Sequence, residues 1–325
     1  MTTIGLVFFL LMAILGLPLF AVMAGISIVC FYGSGVDFSA ITVEMYRMAG
    51  SPTLVTIPLF TFAGYLLAES KSPKRLFDLT NACLSWVPGG VAIISLVLCA
   101  FFTAFTGASG VTIIALGGLI YPLLLQEGYS EDFSLGLMTT SGSLGLLFAP
   151  SLPLILYGII AQVDIDLLFK AGIIPGIFII VVLSIWSIIK RPKNVKKIEK
   201  ALSIKEAIIQ ARYEIPIPFF VLGGIYSGVL TVTDASVATA LYVFIIEVFL
   251  YKDLSLKSDI PKIIKESMSL VGAILIILCC ALGLTSYLVD EEIPMKILAF
   301  TKTFIHSKYS FLLFLNLFLL VVGCL

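Results

Sequence analysis

The chain has 325 residues with 20 Lys/Arg and 20 Asp/Glu, so its formal net charge is zero; 60% of its residues are hydrophobic and only 12% are charged. A soluble domain carries about 25% charged residues, so an ordinary soluble fold is excluded, and a neutral chain offers no global field for nucleic acid. At roughly 20 apolar residues per span, the apolar runs give about eight to ten membrane passes or hairpin arms, hence an all-α polytopic membrane protein.

The runs fall at about 4–31, 53–68, 86–105, 111–125, 134–160, 169–189, 215–230, 233–250, 268–289 and 310–325. Residues 4–31 lack the positive n-region of a signal peptide and are too long for one; they read as a first membrane helix, kinked at Gly16 and Pro18. The segment Lys190–Glu214 holds eight Lys/Arg against three Glu, and Lys71–Arg75 is positive too. By the positive-inside rule both are cytoplasmic. Asp164 and Asp166, with no Lys or Arg in their loop, suit the outside. On this map 4–31 runs out and 53–68 runs in. The 86–125 stretch returns to its starting side, 134–160 runs out and 169–189 runs in. Then 215–230 runs out, 233–250 returns, 268–289 runs out, and 310–325 enters from outside.

Parity leaves two readings of 86–125: two full spans, or a re-entrant hairpin. The tip Thr106-Gly-Ala-Ser-Gly110 is short, uncharged and built of small residues. That favours a hairpin with its tip buried near the midplane, because non-helical backbone at that depth needs protein shelter. Ser310–Leu325 has a similar apolar lead ending in Gly323-Cys324-Leu325, entering from the opposite side. The organisation is then an inverted repeat of the kind transporters use. Residues 1–189 form the first repeat, with hairpin 86–125, broken helix 134–160 and helix 169–189. Residues 190–214 are a basic cytoplasmic linker, and 215–325 are a second repeat reaching only the tip of its hairpin.

Two breaks interrupt stretches that should run as unbroken helix: Thr103-Ala-Phe-Thr-Gly-Ala-Ser-Gly110 and Ser141-Gly-Ser-Leu-Gly-Leu-Leu-Phe-Ala-Pro-Ser151. Paired breaks at membrane depth point to a transporter binding site. The first offers the Thr106 and Ser109 hydroxyls and freed carbonyls for a hard cation. Half-helix N-termini present N–H groups and a positive dipole end to an anion. The plain alternative is a small-residue packing patch. In the second, Pro150 and Pro153 lack amide donors and break the helical ladder, giving either a kink or a true unwinding. A third segment, Gly223–Ser236, is a tight turn in which Thr231 or Thr233 caps the next helix with Asp234 in its first turn. It could equally wall a substrate cavity.

Other residues read as structural. Glu44 and Arg47 fall in a loop, and Asp290, Glu291 and Glu292 in a solvated outer cluster. Glu247 snorkels or pairs with Lys252 near the cytoplasmic end of its run. His306 sits in a polar connector, and the six cysteines are small packing residues without metal-ligand spacing. No Walker A, H-E-x-x-H, G-x-S-x-G or Cys/His metal signature occurs, so neither ATP-driven pumping nor an enzyme is indicated.

These segments together resemble the large membrane subunit of tripartite ATP-independent periplasmic (TRAP) transporters, the DctM-like family. The likeness runs from Ile57-Pro-Leu-Phe-Thr-Phe-Ala-Gly64 through Phe105-Thr-Gly-Ala-Ser-Gly110 with Ala115-Leu-Gly117. It continues through Pro150-Ser-Leu-Pro-Leu-Ile-Leu-Tyr-Gly158, Ala171-Gly-Ile-Ile-Pro-Gly176 and Gly223-Gly-Ile-Tyr-Ser-Gly228 to Thr231-Val-Thr-Asp-Ala235. The resemblance implies a multi-pass protein of the bacterial inner membrane and an elevator-type, sodium-driven importer of organic anions, often carboxylates. It would work with a small four-helix membrane subunit and a periplasmic substrate-binding protein; no cofactor is implied beyond sodium as coupling ion. On that implication Thr106, Ser109, Gly110, Ser143 and Gly145 bind sodium. Ala108, Ser109, Pro150, Ser151, Thr231 and Thr233 contact substrate.

The chain departs from the family pattern in places. The family often has two prolines at Ala149-Pro150, Pro-Thr-Glu at Val232-Thr233-Asp234, and a Ser and an Asp at positions matching Ala108 and Thr112. Its members typically continue for roughly another hundred residues, which would complete the second repeat. A stand-alone sodium/dicarboxylate carrier of related fold, or a truncated non-transporting remnant, are the alternative functions.

Overall fold

The computed structural model describes residues 2–35, 37, 39–84, 86–87, 89–192, 202–305 and 307–323, with backbone alone at 40, 44, 303 and 304. His306, the linker lysines between 193 and 200, and the second tip at 324–325 lie outside the described residues. Every regular element within them is helical. Five segments are long and apolar enough to cross a membrane: Pro52–Glu69, Ser109–Gln126, Ile165–Ile189, Val232–Leu250 and Asp259–Asp290. The pair Glu131–Leu147 and Leu152–Ala161, bent by 44°, makes a sixth if taken as one span. The helices gather into two units, 1–50 with 274–325, and 51–273. These units cut across the halves of the sequence.

In the first unit, α1 (Thr2–Ile14) and α2 (Leu19–Ser34) replace the single kinked helix expected over 4–31. Gly16 takes φ +90° and Pro18 follows, so the chain reverses. The two helices then pack antiparallel, with Gly5 against Val29, Gly25 against the Phe9 ring and Gly33 against Thr2. Small residues let apolar helices approach closely. An apolar run cannot announce this reversal, because both arms are equally apolar, and at 13 and 16 residues each arm is shorter than a full span. Residues 39–49, expected as loop around Glu44 and Arg47, form α3 (Ser39–Ala49). The C-terminal part of α14 (Asp259–Asp290) meets α2 through Phe31 on Tyr287, ring centroids 5.4 Å apart. It meets α3 where Gly283 admits Ile41. Two further helices, α15 (Ile293–Phe304) and α16 (Lys308–Gly323), complete this unit.

The second unit is built around α6 (Gly90–Thr106), buried along almost its whole length. A helix that is apolar all round belongs in a core. Around it stand α4 (Thr56–Glu69), the amphipathic α5 (Ser72–Leu84), α7 (Ser109–Gln126), α8 (Glu131–Ser141), α9 (Leu152–Ala161) and α10 (Ile165–Ile189). The remaining helices are α11 (Ile204–Gln210), α12 (Pro216–Tyr226) and α13 (Val232–Ile245), which packs along α4 and ends in a π-turn, Ile246–Leu250. The first turn of α11 carries a capping box between Ser203 and Glu206, and the helix packs on α5, so part of the basic linker is folded. Both ends of the α6–α7 hairpin lie beside the end of α10. The Tyr129 hydroxyl donates to the Ser187 carbonyl at 3.2 Å, and a Cβ on Gly89 would sit 3.0 Å from that hydroxyl.

At one end of this unit, Arg75 of α5 gathers three carboxylates from far along the chain: Glu214, Glu247 and Asp253. Its guanidinium makes two 3.0 Å bonds to the Glu247 carboxylate and lies 3.8 Å from the centre of the Tyr251 ring. Lys71 adds a looser pair to Asp253 at 3.7 Å. Glu247 thus pairs with Arg75, not with the sequence neighbour Lys252, because it sits in the π-turn facing α5. The side chains of Glu214 and Glu247 are fully buried. Burial alone would lower the Arg75 pKa, but the hydrogen bond to Asp253 and the charges of Glu247 and Glu214 raise it well above the usual range. The segments expected to be cytoplasmic at 71–75, 210–214 and 251–253 therefore meet at one place.

Breaking a buried ion pair leaves an uncompensated charge and costs about 3–5 kcal/mol. Arg75→Met should lower the apparent melting temperature of the purified protein by several degrees. Arg75→Lys should recover only part, since an ammonium cannot fork to three carboxylates. Equal melting of all three would refute the role of this cluster.

Candidate functional site

The two breaks read from the sequence come together inside the second unit. The α6–α7 turn is only two residues long. Gly107, at φ +65°, caps α6 with its N–H on the Thr103 carbonyl at 2.8 Å, and Ala108 is extended. A left-handed cap of this kind suits glycine. In the second break α8 stops at Ser141, a 3-10 turn covers Leu144–Leu147, and Phe148–Ser151 leads into α9 across a cis Ala149–Pro150 bond.

Three contacts lock the breaks together. The buried Thr103 hydroxyl donates to the Gly142 carbonyl at 2.8 Å, satisfying backbone freed by the end of α8. Gly145 lies flat on α6: a Cβ there would meet the Ala100 carbonyl and come within 2.5 Å of the Ala104 nitrogen. Gly107 lies against Leu152, where a Cβ would be 2.5 Å from the Leu152 Cβ. From the other side Gly64, in the middle of α4, supports the tip, leaving 2.6 Å between a notional Cβ and the Thr106 nitrogen. The tip is thus walled by the middle of another apolar helix.

The predicted residues divide by what their groups already do. The Thr106 hydroxyl is buried and closed within the tip, 3.1 Å from the Thr112 hydroxyl and 3.3 Å from the Ala108 carbonyl. Ser151 donates to the Leu146 carbonyl at 2.6 Å, and Ser143 to the Thr140 carbonyl at 2.9 Å. Ser109, by contrast, is half-buried, with a hydroxyl that has no hydrogen-bond partner among the described residues; Gly110 beside it faces open space. Gly145 acts here as the point of close approach, and Pro150 is buried in the non-helical link before α9. Thr231 spends its hydroxyl as the N-cap of α13 in a capping box with Asp234, accepting from the Asp234 N–H at 3.1 Å. Thr233 follows within that helix, half-buried. The contacts that join the breaks involve neither threonine.

The sequence places Thr103 at the start of the first break without assigning its hydroxyl a role, and it gives no signal for one further participant. Thr61, one turn before Gly64 on the same face of α4, is fully buried with a hydroxyl that lacks a partner among the described residues. An apolar cavity of about 200 Å³ adjoins the break, walled by Phe101, Phe105, Phe148, Ala149 and Leu222. Its lining offers nothing to an anion, so the polar chemistry belongs to the helix ends.

Those ends are arranged by sign. The C-termini of α6 and α8 meet through Thr103 and Gly142, which brings two negative dipole ends together. The N-termini of α7 and α9 flank the same junction, through Ser109 beside Gly142 and Leu152 beside Gly107. Their first N–H groups have no carbonyl in a preceding turn. The arrangement can hold a cation and an anion side by side without a buried Lys or Arg. Gly145→Ala should destabilise the protein by about 1–3 kcal/mol, as overpacking does, because the new methyl meets α6 backbone. An unaltered unfolding midpoint would mean that this contact is not tight.

Comparison with known proteins identifies the family. The family profile described as the DctM component of tripartite ATP-independent periplasmic transporters matches residues 6–325. The C4-dicarboxylate TRAP transporter large permease protein DctM of Pseudomonas aeruginosa is 31% identical over 288 residues, covering 87% of this chain and 67% of that protein. The protein of the same name from Rhodobacter capsulatus is 28% identical, covering 98% of this chain and 76% of its own length. The ectoine TRAP transporter large permease protein TeaC of Halomonas elongata is 30% identical, with 92% and 71% covered. The chain thus spans about two thirds to three quarters of these relatives. With a profile match along nearly its whole length and several apolar helices long enough to cross a bilayer, this multi-pass membrane protein belongs to the DctM family of TRAP transporter large permeases.

Proposed function

We propose that the chain serves as the large membrane subunit of a sodium-driven importer of organic anions in the bacterial inner membrane. The convergence of two C-terminal and two N-terminal half-helix ends at the α6–α7 tip and the α8–α9 break carries this reading. A small cation is favoured at the negative ends and a carboxylate at the positive ends. Sodium occupies the side lined by Thr106, Ser109, Gly110, Ser143 and Gly145, with Ser109 its most available side-chain ligand. The anion lies toward Ala108, Ser109, Pro150 and Ser151, with Thr231 and Thr233 at a more distant wall. In this reading α6–α7 is a re-entrant hairpin, and the sliding of a transport domain moves the site across the membrane. The names of the relatives, C4-dicarboxylate and ectoine permeases, support a small organic solute bearing a carboxylate. They support equally a periplasmic binding protein that delivers it and a small membrane subunit that accompanies this one.

The test is uptake in proteoliposomes holding the chain with its small subunit and binding protein. Ser109→Ala should raise the half-saturating sodium concentration roughly tenfold, the weight of one contact to a charged group, while thermal stability stays unchanged. Wild-type sodium dependence in that variant would remove Ser109 from the ion site.

A further inference from the structure

A polar pocket, separate from the apolar cavity at the break, lies at the end of the second unit where Arg75 gathers its carboxylates. It has a volume of about 420 Å³ and lies between α5 and α11, lined by Lys71, Lys74, Arg75, Arg212, Asp78 and Ile209 among others. Glu214, Glu247 and Asp253 bind Arg75 in the floor and are consumed there. The rim presents exposed cations. Lys74 and Arg212 make no ion pair with an acid among the described residues, and Arg212 is braced 4.5 Å from the Tyr213 ring. Lys71 is 77% exposed and reaches only loosely to Asp253. One acid, Asp78, stands against them in the lining.

The depth of the pocket is set by its neighbours. Lys71 comes two residues after the apolar segment Pro52–Glu69, and Tyr251, which also lines the pocket, directly follows Val232–Leu250. A pocket at the ends of two membrane-crossing segments lies at the level of lipid headgroups. Next to the cations, α11 exposes Ile204, Ile208 and Ile209 on its surface. A short helix with an apolar face beside Lys and Arg suits the membrane interface, and basic pockets between helices on the cytoplasmic side accept anionic headgroups.

We propose that this pocket binds the phosphate of an anionic phospholipid, with Lys74 and Arg212 as phosphate contacts and Ile209 against the start of an acyl chain. Arg75 forms the cationic floor, held in place by its three carboxylates. The bound lipid would bridge α5 to the folded part of the linker, two elements from opposite halves of the sequence.

Native mass spectrometry of the purified full chain in detergent, titrated with phosphatidylglycerol, phosphatidylcholine or inorganic phosphate, tests the proposal. Phosphatidylglycerol should bind more tightly than phosphatidylcholine, and millimolar inorganic phosphate should not displace it. The double variant Lys74→Gln, Arg212→Gln should bind phosphatidylglycerol roughly 30-fold more weakly, about fivefold for each charge. Ile209→Gln should weaken it several-fold, and Lys308→Gln, on α16, should leave it unchanged. All four side chains are exposed, so these variants keep the fold. Unchanged phosphatidylglycerol affinity in both the double variant and Ile209→Gln would overturn the proposal. Displacement by inorganic phosphate would overturn the lipid assignment in favour of a soluble phosphate group.

Discussion

Backbone released from a helix within a membrane has no water to bond to, so it must find partners in protein. In this chain each of two released segments is sheltered by the other. The Thr103 hydroxyl reaches the Gly142 carbonyl, Gly145 lies on α6, and Gly107 lies on Leu152. Glycine at 64, 107 and 145 is required by space as much as by backbone angle, because a Cβ at any of them would enter a neighbouring segment. The rest of the second unit follows from this mutual shelter. The core helix α6 is buried because it carries one break and backs the other, and α4 lies close because Gly64 lets it.

The same constraint makes the site frugal. A cation and an anion can be held by helix ends at no cost of burying a formal charge, which hydrocarbon makes expensive. Most side-chain hydroxyls at the breaks are spent on the protein itself, as with Thr106, Ser143 and Ser151. The Thr112 hydroxyl joins that of Thr106 inside the tip. The tip is therefore held closed by neutral groups, and what faces outward is chiefly Ser109 and backbone. In the proposed reading the solute would be held mainly by backbone at helix ends, a mode that depends little on side-chain identity.

Much of this was legible from residues alone. A short run of small uncharged residues marked the first break, glycine on one side and proline on the other marked the second, and of Thr231 and Thr233, the two candidates for the cap of α13, the structure uses Thr231. What escaped detection escaped for definite reasons. The reversal at Gly16 is hidden because both arms of the α1–α2 hairpin are apolar. Helices α3, α5 and α11 are too polar to stand out against membrane spans, yet α5 carries Arg75. The partners of Arg75 lie 139 to 178 residues away, and no local pattern links them. Glu247 looked like a residue near the end of its run because proximity in sequence suggested Lys252. Its true partner is set by how α13 lies along α4 and presents its π-turn to α5.

That spacing bears on how the molecule is made. Arg75 emerges from the ribosome long before Glu214, Glu247 and Asp253, so during synthesis its guanidinium waits without any of the carboxylates that finally enclose it. The α6–α7 tip and the α8–α9 break, by contrast, are joined by a hydrogen bond between residues only 39 apart in the chain and can meet early. Assembly of the second unit is thus ordered by the chain itself: the breaks can close upon each other first, and the charged end locks only when residue 253 has been translated.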